Sequence, residues 1–357
     1  MDLFSPVTLG DVELANRLVM APLTRTRSGD SGVPNDLNVE HYTQRASAGL
    51  IITEGTYPSR ESRSYPGQPG IVDDEQEAGW KRVAEGVHRA GGKIMMQVMN
   101  GGRVSHTDIT GTDRIVAPSA IAIQGEVHVP SGKKPFPVPH ELSTDELATV
   151  RDEFVEASRR AVRAGLDGVE IHSANGYLLH QFLSPASNQR TDEYGGSPER
   201  RARFVIEVVQ AVAAEIGAGR VGIRLSPSHN IQDALETDAD ETRATYEILV
   251  DALAPLGMSY LSILHSDPAG EFVQSLRTRF GGGFIANSGF GHITTRDEAI
   301  AFIADGHADA VAVGRAIIAN PDLVERWEGG HPENELDPST LYGSSAEGYT
   351  DYPRLSA

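Results

Sequence analysis

The sequence contains no cysteine among its 357 residues. This absence excludes disulfide bonds, thiolate nucleophiles, and zinc or iron–sulfur sites with cysteine ligands. The sequence also lacks any run of about eighteen apolar residues, the length that a transmembrane helix needs. Its N-terminal stretch, MDLFSPVTLGDVELANRLVM, carries acidic residues where a secretory signal would have a basic segment followed by an apolar one. We therefore expect a cytoplasmic protein.

Basic residues are scarce relative to acidic ones. The chain has 31 Lys and Arg residues against 50 Asp and Glu, a formal net charge of -19. Such a surface repels the phosphates of nucleic acids and of anionic membranes, so we expect neither as a partner. The hydrophobic content of 39% is sufficient for a large core in a chain of this length. Small molecules are the partners that fit this composition.

Short apolar, β-branched runs alternate with longer amphipathic segments along the chain, which is typical of a parallel sheet covered by helices. Eight runs are predicted as strands: residues 18–23, 50–53, 93–98, 168–171, 220–225, 260–264, 283–286 and 310–313. The predicted helices are 37–48, 75–90, 144–164, 198–216, 240–254, 271–279, 295–305 and 316–327. Eight such units predict an α/β fold of the TIM (β/α)8 barrel type. An open doubly wound sheet is the alternative.

Two segments do not belong to a bare barrel. Residues 100–140 follow the third strand and are rich in Pro and Gly, and we interpret this long insertion as lid-like. The tail, residues 329–357, is polar and contains prolines, but its tyrosines predict that it folds back onto the body. We expect residues 1–357 to form a single barrel domain.

The active sites of TIM barrels lie at the C-terminal ends of the strands. The last two predicted strands end in Ser288-Gly289 and Gly314-Arg315, an arrangement that offers backbone N–H groups, a helix N-terminus and a bidentate Arg donor to a phosphate. The other strand ends carry mostly neutral hydrogen-bonding groups and one cation, Arg224, with no carboxylate cluster for a metal. This ring suits a flat heterocycle that carries a phosphate.

Several motifs at these positions resemble the old yellow enzyme family of FMN-dependent ene-reductases. They are NRLVMAPLTR near the N-terminus, HSANGYLLHQFLSPASNQRTDEYGGS from His172, GIRLSP, AVGRAIIANPDLV and GYTDYP. The resemblance extends from about Asn16 to Pro353. It implies an NAD(P)H:flavin oxidoreductase with tightly but non-covalently bound FMN and with NADPH or NADH as hydride donor.

The resemblance also implies a role for each strand end. Thr24 would donate a hydrogen bond to the flavin O4. The other residues that the resemblance places against FMN are Pro22, Leu23 and Gly55 along the same edge, Gln97 and Arg224 at the pyrimidine side, and Ser288, Gly289, Gly314 and Arg315 at the phosphate.

For the substrate, the resemblance implies that His172 and Asn175 are paired donors that bind the carbonyl oxygen of an activated alkene or a phenolate oxygen. Hydride would pass from flavin N5 to the β-carbon, and Tyr177 would protonate the α-carbon. Tyr65 and Tyr349 would line the substrate cavity. Alternative functions are a nitro or nitrate-ester reductase of the same family, a flavin-binding barrel without turnover, and a metal or sugar-phosphate barrel enzyme.

One stretch departs from the family pattern. Met99 and Asn100 follow Gln97-Val98 where the family often has an aromatic residue and a histidine. We expect the flexible thioether of Met99 to line the substrate cavity and to change its shape. The sequence leaves a monomer and a homodimer equally open.

Purely structural roles compete with these assignments. His172 could be a hydrogen-bonded histidine at a strand end, and Tyr177 a half-buried aromatic side chain. Arg224 and Arg315 could form ion pairs at the barrel rim. A zinc site built from His172 and His180 is disfavoured, because no acidic or thiolate ligand has suitable spacing, and we expect no metal.

Overall fold

The computed structural model describes residues 1–355, and a closed barrel of eight parallel strands forms its centre. The strands are Leu18–Met20, Leu50–Ile52, Ile94–Val98, Gly168–Ser173, Val221–Leu225, Tyr260–Leu264, Gly283–Asn287 and Ala310–Val313. The last strand pairs in parallel with the first, which closes the barrel. Almost every strand residue is buried, because the barrel interior covers one face and helices cover the other. The TIM-barrel prediction is confirmed.

Helices follow the strands around the outside of the barrel. The main ones are Asp36–Gln44, Asp74–Arg89, Thr144–Arg163, Pro198–Ile216, Ala239–Leu253, Glu271–Phe280, Arg296–Ala304, Arg315–Ala319 and Leu323–Gly329. Short 3-10 turns lie at Arg60–Ser62, Ala218–Arg220, Ala254–Leu256 and Pro338–Thr340. Within residues 1–355, no helix combines the length and the apolar character that crossing a membrane requires.

The last predicted helix is divided in two, which corrects the expectation of one helix over 316–327. Arg315–Ala319 ends before Asn320, and Leu323–Gly329 begins after Asp322. Pro321 lies between them, and proline has no N–H and disfavours helical backbone in the preceding residue. A second difference is the short helix Leu178–Leu183, which the sequence pattern did not predict.

An N-terminal β-hairpin closes the lower end of the barrel. Its strands, Val7–Leu9 and Val12–Leu14, are joined by a turn in which Gly10 has φ +58°. A Cβ at Gly10 would lie 2.4 Å from the carbonyl oxygen of Gly219, so the close approach requires glycine. The hairpin side chains pack against the inward-facing side chains of the strands, which completes the core at that end.

The insertion after the third strand forms its own small elements. It contains the short helix Thr107–Thr110, a hairpin of Glu126–Val129 and Gly132–Pro135, and the strand Val116–Ala117, which pairs with His140–Glu141. The hairpin is largely exposed on one side. The insertion is therefore a folded excursion, as its position after the third strand predicted.

The C-terminal tail folds back over the barrel, as predicted. Two arginines that follow the first strand hold it by donating hydrogen bonds to its carbonyl groups. Arg25 donates to Leu341 at 2.9 Å and to Gly348 at 2.7 Å, and Arg27 donates to Leu341 at 2.8 Å. The tail is thus fixed next to the C-terminal end of the first barrel strand.

Candidate active site

Inward-facing side chains of neighbouring strands lie at the same level, because the strands are parallel and in register. At the upper end of the barrel, which we call the mouth, His172 pairs with Arg224 and Arg224 pairs with Ser262. One level below, Glu170 pairs with Gln97 on one side. The predicted His172, Arg224 and Gln97 are thereby brought to one wall of the mouth.

A tight turn follows the fourth strand and positions Asn175. Asn175 has φ +58° and Gly176 has φ +80°. The Asn175 backbone N–H donates to the Ser226 hydroxyl at 2.8 Å, and the Gln232 amide donates to the Asn175 carbonyl at 3.0 Å. The turn is therefore anchored to the segment after the fifth strand, and the helix Leu178–Leu183 begins directly after it.

His172 and Asn175 present buried polar atoms that are free to bind a ligand. His172 is 4% exposed and Asn175 is 6% exposed. In residues 1–355, neither His172 Nδ1 nor Asn175 Oδ1 has a hydrogen-bond partner. Burial lowers the pKa of His172 well below its usual value, and the Arg224 cation adds to this effect. The imidazole is therefore neutral and carries one N–H donor.

Tyr177 lies beside this pair with its hydroxyl fixed. Its ring stands edge-on to His172 at 5.0 Å between centroids, and its hydroxyl is 2.7 Å from that of Tyr65. Burial raises the pKa of Tyr177 well above its usual value, with a smaller contribution from Tyr65. The Tyr177 phenol is thus protonated at neutral pH and can serve as a proton donor.

The predicted cavity residues Met99 and Tyr65 join Tyr177. Met99 and Tyr177 belong to one apolar cluster with Val104 and Ile123, against which Tyr65 packs. Ile123 comes from the insertion, so this segment contributes to the same wall. The Met99 thioether therefore packs in the same apolar cluster as the phenol pair.

The opposite wall follows the first and second strands. Pro22, Leu23 and Thr24 are half-buried. A Cβ at Gly55 would lie 2.6 Å from the Met99 Sδ, so glycine allows the thioether to pack there.

A buried carboxylate fixes the segment that follows Thr24. Glu54 accepts hydrogen bonds from the backbone N–H groups of Arg25 at 2.9 Å and Thr26 at 3.1 Å. Burial raises the pKa of Glu54, and these two N–H donors oppose the rise. Glu54 thereby fixes the backbone directly after the predicted flavin-edge residues.

Gln97 and Arg224 are both almost fully buried, at 3% and 2% exposure. Gln97 Nε2 donates to Glu170 at 2.7 Å, which leaves its amide oxygen available. Arg224 Nε and Nη1 have no hydrogen-bond partner among the described residues, although a buried guanidinium ordinarily makes several. A ligand with acceptor atoms, such as a flavin ring, fits these donors.

Two residues of the predicted phosphate site, Ser288 and Gly289, line a cavity of about 350 Å³, whereas Gly314 and Arg315 are not among its lining residues. The Ser288 hydroxyl donates to Glu298 at 2.5 Å. Arg315 donates to the carbonyl of His292 at 2.9 Å. These contacts bring the two glycine-containing strand ends together, but they also engage the Ser288 hydroxyl and the guanidinium.

Gly314 precedes the helix Arg315–Ala319 and is half-buried. A Cβ at Gly314 would meet the Leu23 side chain at 3.7 Å, an ordinary contact. This position therefore links the eighth strand to the segment after the first strand. The space around Gly314 would also accept a larger residue than glycine.

Tyr349 does not lie with the other predicted cavity residues, which corrects its assignment. Its side chain is fully buried and stacks on His41 at 3.9 Å, and its hydroxyl accepts a hydrogen bond from Asn38 at 3.1 Å. Tyr342, 66% exposed, lies close enough to raise the pKa of the Tyr65 hydroxyl, after the larger effect of burial. Tyr342 is thus the tail tyrosine that acts electrostatically on both phenols of the pair.

His180 has a structural contact that the sequence pattern did not predict; from the sequence it was considered only as a disfavoured zinc ligand. His180 is fully buried, and its Nδ1 accepts from the Gly176 backbone N–H at 2.8 Å. Its Nε2 lies 3.3 Å from Glu236. The one sequence signal for the hydrogen bond between Gly176 and His180 was their separation of four positions, which is about one helical turn.

The fold is a (β/α)8 barrel whose mouth holds a protonated phenol, a cavity beside the seventh strand, and buried donors that lack partners among residues 1–355. This combination is typical of a barrel enzyme that binds a planar, phosphorylated cofactor. Comparisons with known proteins agree with this class. Residues 2–334 match the model of a family described as the NADH:flavin oxidoreductase / NADH oxidase family.

Individual relatives resemble nearly the whole chain. A probable flavin mononucleotide-dependent alkene reductase of Leishmania infantum is 41% identical over 360 residues, which covers 98% of this chain and 97% of that protein. The 12-oxophytodienoate reductase 1 of Oryza sativa subsp. japonica is 40% identical over 373 residues, covering 99% and 93%. The structure of morphinone reductase in complex with tetrahydroNAD has a TM-score of 0.93 at 45% identity and covers 100% of this chain and 98% of that chain.

The chain belongs to the NADH:flavin oxidoreductase family, also called the old yellow enzyme family. It is therefore an oxidoreductase that uses FMN and a nicotinamide nucleotide. The family resemblance predicted from the motifs is confirmed.

Proposed function

We propose that this enzyme reduces activated C=C bonds of α,β-unsaturated carbonyl or nitro compounds, with NAD(P)H as the electron source. The observation that carries the proposal is the pair His172 and Asn175 beside the protonated Tyr177. His172 Nδ1 and Asn175 Oδ1 are buried without partners in residues 1–355, so the Asn175 amide is not held through its oxygen and its NH2 group can turn toward a ligand. The alkene-reductase relatives support the same reaction class.

FMN, bound tightly and non-covalently, would supply the hydride, with electrons from the nicotinamide nucleotide. The unpaired Arg224 donors and the free Gln97 oxygen are suited to the polar edge of a flavin. The residues that we propose to hold FMN are Pro22, Leu23, Thr24, Gly55, Gln97, Arg224, Ser288, Gly289, Gly314 and Arg315. Ser288 and Arg315 would exchange their contacts with Glu298 and the His292 carbonyl for contacts with the phosphate.

The substrate oxygen is held by two neutral donors. The single N–H of neutral His172 and the side-chain amide of Asn175 bind a carbonyl or nitro oxygen and stabilise the negative charge that develops on it. This withdraws electrons from the β-carbon, which accepts the hydride.

Tyr177 delivers a proton to the α-carbon, which completes the net reaction of alkene, NAD(P)H and a proton to alkane and NAD(P)+. Its raised pKa keeps the proton on the phenol until the carbon becomes basic. Tyr65 fixes the direction of the Tyr177 hydroxyl through their 2.7 Å hydrogen bond. Tyr65 and Met99 line the cavity above.

The test is anaerobic oxidation of NADPH and of NADH by the purified protein against cyclic enones, maleimides, nitroolefins and nitrate esters. Turnover with enones and nitroolefins is expected. A protein that takes up FMN and is reduced by a nicotinamide nucleotide, yet leaves every alkene unreduced, would refute the proposal.

The donor pair has its own test in ligand binding. Phenolates that bind over the flavin give a long-wavelength charge-transfer band, and replacing both His172 and Asn175 with Ala is expected to abolish it. His128, exposed on the insertion hairpin, provides the control, since His128→Ala leaves the site intact. An unchanged band in the double variant would contradict the assignment of these donors.

A further inference from the structure

A buried carboxylate below the mouth has no role in the chemistry proposed above. Glu170 is completely buried inside the barrel. It lies in register with Gln97 on the third strand and Gly222 on the fifth, and Gly222 is in register with Tyr260 on the sixth. These residues form one level of the barrel interior, directly below the level of His172.

The two carboxylate oxygens of Glu170 each accept one hydrogen bond. Gln97 Nε2 donates to Oε1 at 2.7 Å, and the Tyr260 hydroxyl donates to Oε2 at 3.2 Å. A Cβ at position 222 would lie 2.3 Å from Tyr260 Cζ, so Gly222 provides the space that lets the tyrosine reach across. Gln97, Gly222 and Tyr260 together accommodate the Glu170 carboxylate inside the barrel.

Glu170 also faces the cation of the mouth. Arg224 has no hydrogen bond from Nε or Nη1 to any described residue, yet its charge interacts with Glu170. Burial raises the pKa of Glu170, while Arg224 and then the two donors favour its anion. The carboxylate therefore balances Arg224 through space and leaves the guanidinium donors free.

We propose that Glu170 is a positioning residue that fixes the Gln97 amide and the electrostatic balance of Arg224, and thereby sets both the affinity for FMN and its reduction potential. The proposal rests on the FMN site described above. A carboxylate accepts only, so it commits the Gln97 nitrogen and turns the amide oxygen toward the ligand. A neutral amide at position 170 can donate or accept, and it would no longer select one orientation of Gln97.

The charge has a separate consequence from the orientation. Reduction of FMN adds negative charge at the mouth, and a carboxylate below opposes it while Arg224 favours it. Removing the carboxylate charge is therefore expected to make the cofactor easier to reduce. Orientation affects how tightly FMN binds, and charge affects how readily it accepts electrons.

The experiment compares wild type with Glu170→Gln and with Tyr260→Phe, by titration of the FMN-free protein with FMN and by equilibrium potentiometry of the loaded protein. Glu170→Gln is expected to weaken FMN binding by about tenfold, since one hydrogen bond to an ionised group is lost. It should also shift the reduction equilibrium about tenfold toward the reduced cofactor, about 30 mV for a two-electron couple. Tyr260→Phe keeps the carboxylate and its bond with Gln97 and removes only the longer hydrogen bond to Oε2, so it should change both quantities clearly less than Glu170→Gln does.

Wild-type affinity and potential in Glu170→Gln would overturn the proposal. Equal changes in Tyr260→Phe would also overturn it, because they would show a general packing effect. If Glu170→Gln does not fold, Glu170→Asp carries the test: its shorter side chain should weaken FMN binding at an unchanged potential, and wild-type affinity would refute the positioning role. Failure of the wild-type protein to bind FMN would overturn the proposed function as well, whereas the other outcomes concern Glu170 alone.

Discussion

Replacement of Arg27 by alanine is expected to release the C-terminal tail from the barrel mouth. The Arg27 guanidinium donates to the carbonyl oxygens of Leu341 and Thr340 at 2.8 Å each and of Glu347 at 3.1 Å. A fourth bond joins Nε to the Ser345 carbonyl at 3.3 Å. One side chain thus bonds four carbonyl groups of a segment that has little regular structure of its own.

The expected loss is smaller than the sum of these bonds. A hydrogen bond with a charged group contributes roughly 1.5–3 kcal/mol, but bonds from one side chain are not additive. Arg25 lies close enough to lower the pKa of Arg27, after the larger effect of burial, so alanine also relieves a repulsion. We expect the free energy of tail opening to fall by about 3 kcal/mol, which is about a hundredfold in the population of the open tail.

Native-state hydrogen exchange, followed by mass spectrometry on peptides from residues 338–350, measures this opening. Exchange there should accelerate about a hundredfold in Arg27→Ala, by the same estimate. The exposed Arg354 supplies a matched control in the same tail, and Arg354→Ala should exchange like wild type. Unchanged exchange at 338–350 would refute the reasoning, because it would show that the Arg27 hydrogen bonds do not hold the tail closed. Equal acceleration in the barrel strands would also refute it, because it would show that the substitution destabilises the whole protein.

Three further changes test other parts of the structure. Tyr177→Phe should slow enone reduction by about 10²–10⁴-fold while leaving reduction of FMN by the nicotinamide nucleotide intact, which stopped-flow spectroscopy separates. Gly55→Ala should lower the free energy of unfolding by about 1–3 kcal/mol because its Cβ meets Met99 Sδ, and Met99→Ala in the same chain should recover part of it in urea denaturation. Burial raises the pKa of Glu153 to about 7, well above the usual range of a carboxyl group. Its native-state proton therefore favours folding at low pH, and this contribution is lost as pH rises through about 7. Glu153→Gln should therefore stabilise the protein by up to about 3 kcal/mol at pH 8 and by almost nothing near pH 4.5, and equal effects at both values would contradict this.

The strands were predictable because a barrel strand is buried on both faces and reads as a continuous apolar run. All eight predicted strands overlap observed ones, and their polar ends gave the residues of the mouth. The prediction of one helix over 316–327 was too long, because the helical spacing of the apolar residues continues across Pro321, whereas the helix itself is interrupted there. The N-terminal hairpin has strands of three residues, too short for alternation to stand out.

The tail shows what the sequence could not give. Its tyrosines predicted only that the tail folds back onto the barrel. This prediction does not distinguish Tyr342 from Tyr349. The difference between them depends on two arginines more than 300 positions earlier, which capture the tail carbonyls and bury Tyr349 against His41 while leaving Tyr342 exposed. Contacts across such a separation leave no local pattern to read.

Long-range register also explains why the sequence pattern indicated a functional role for His172 but not for Glu170. Both point into the barrel, two positions apart on one strand, but only His172 is near the end where function is expected. Register places Glu170 beside Gln97, and one level higher it places His172 beside Arg224. The residues directly below the polar mouth are therefore also polar, and not apolar as in a typical barrel interior. A buried carboxylate is costly unless it is paired, so its presence beneath two predicted cofactor ligands indicates that the ligands depend on it.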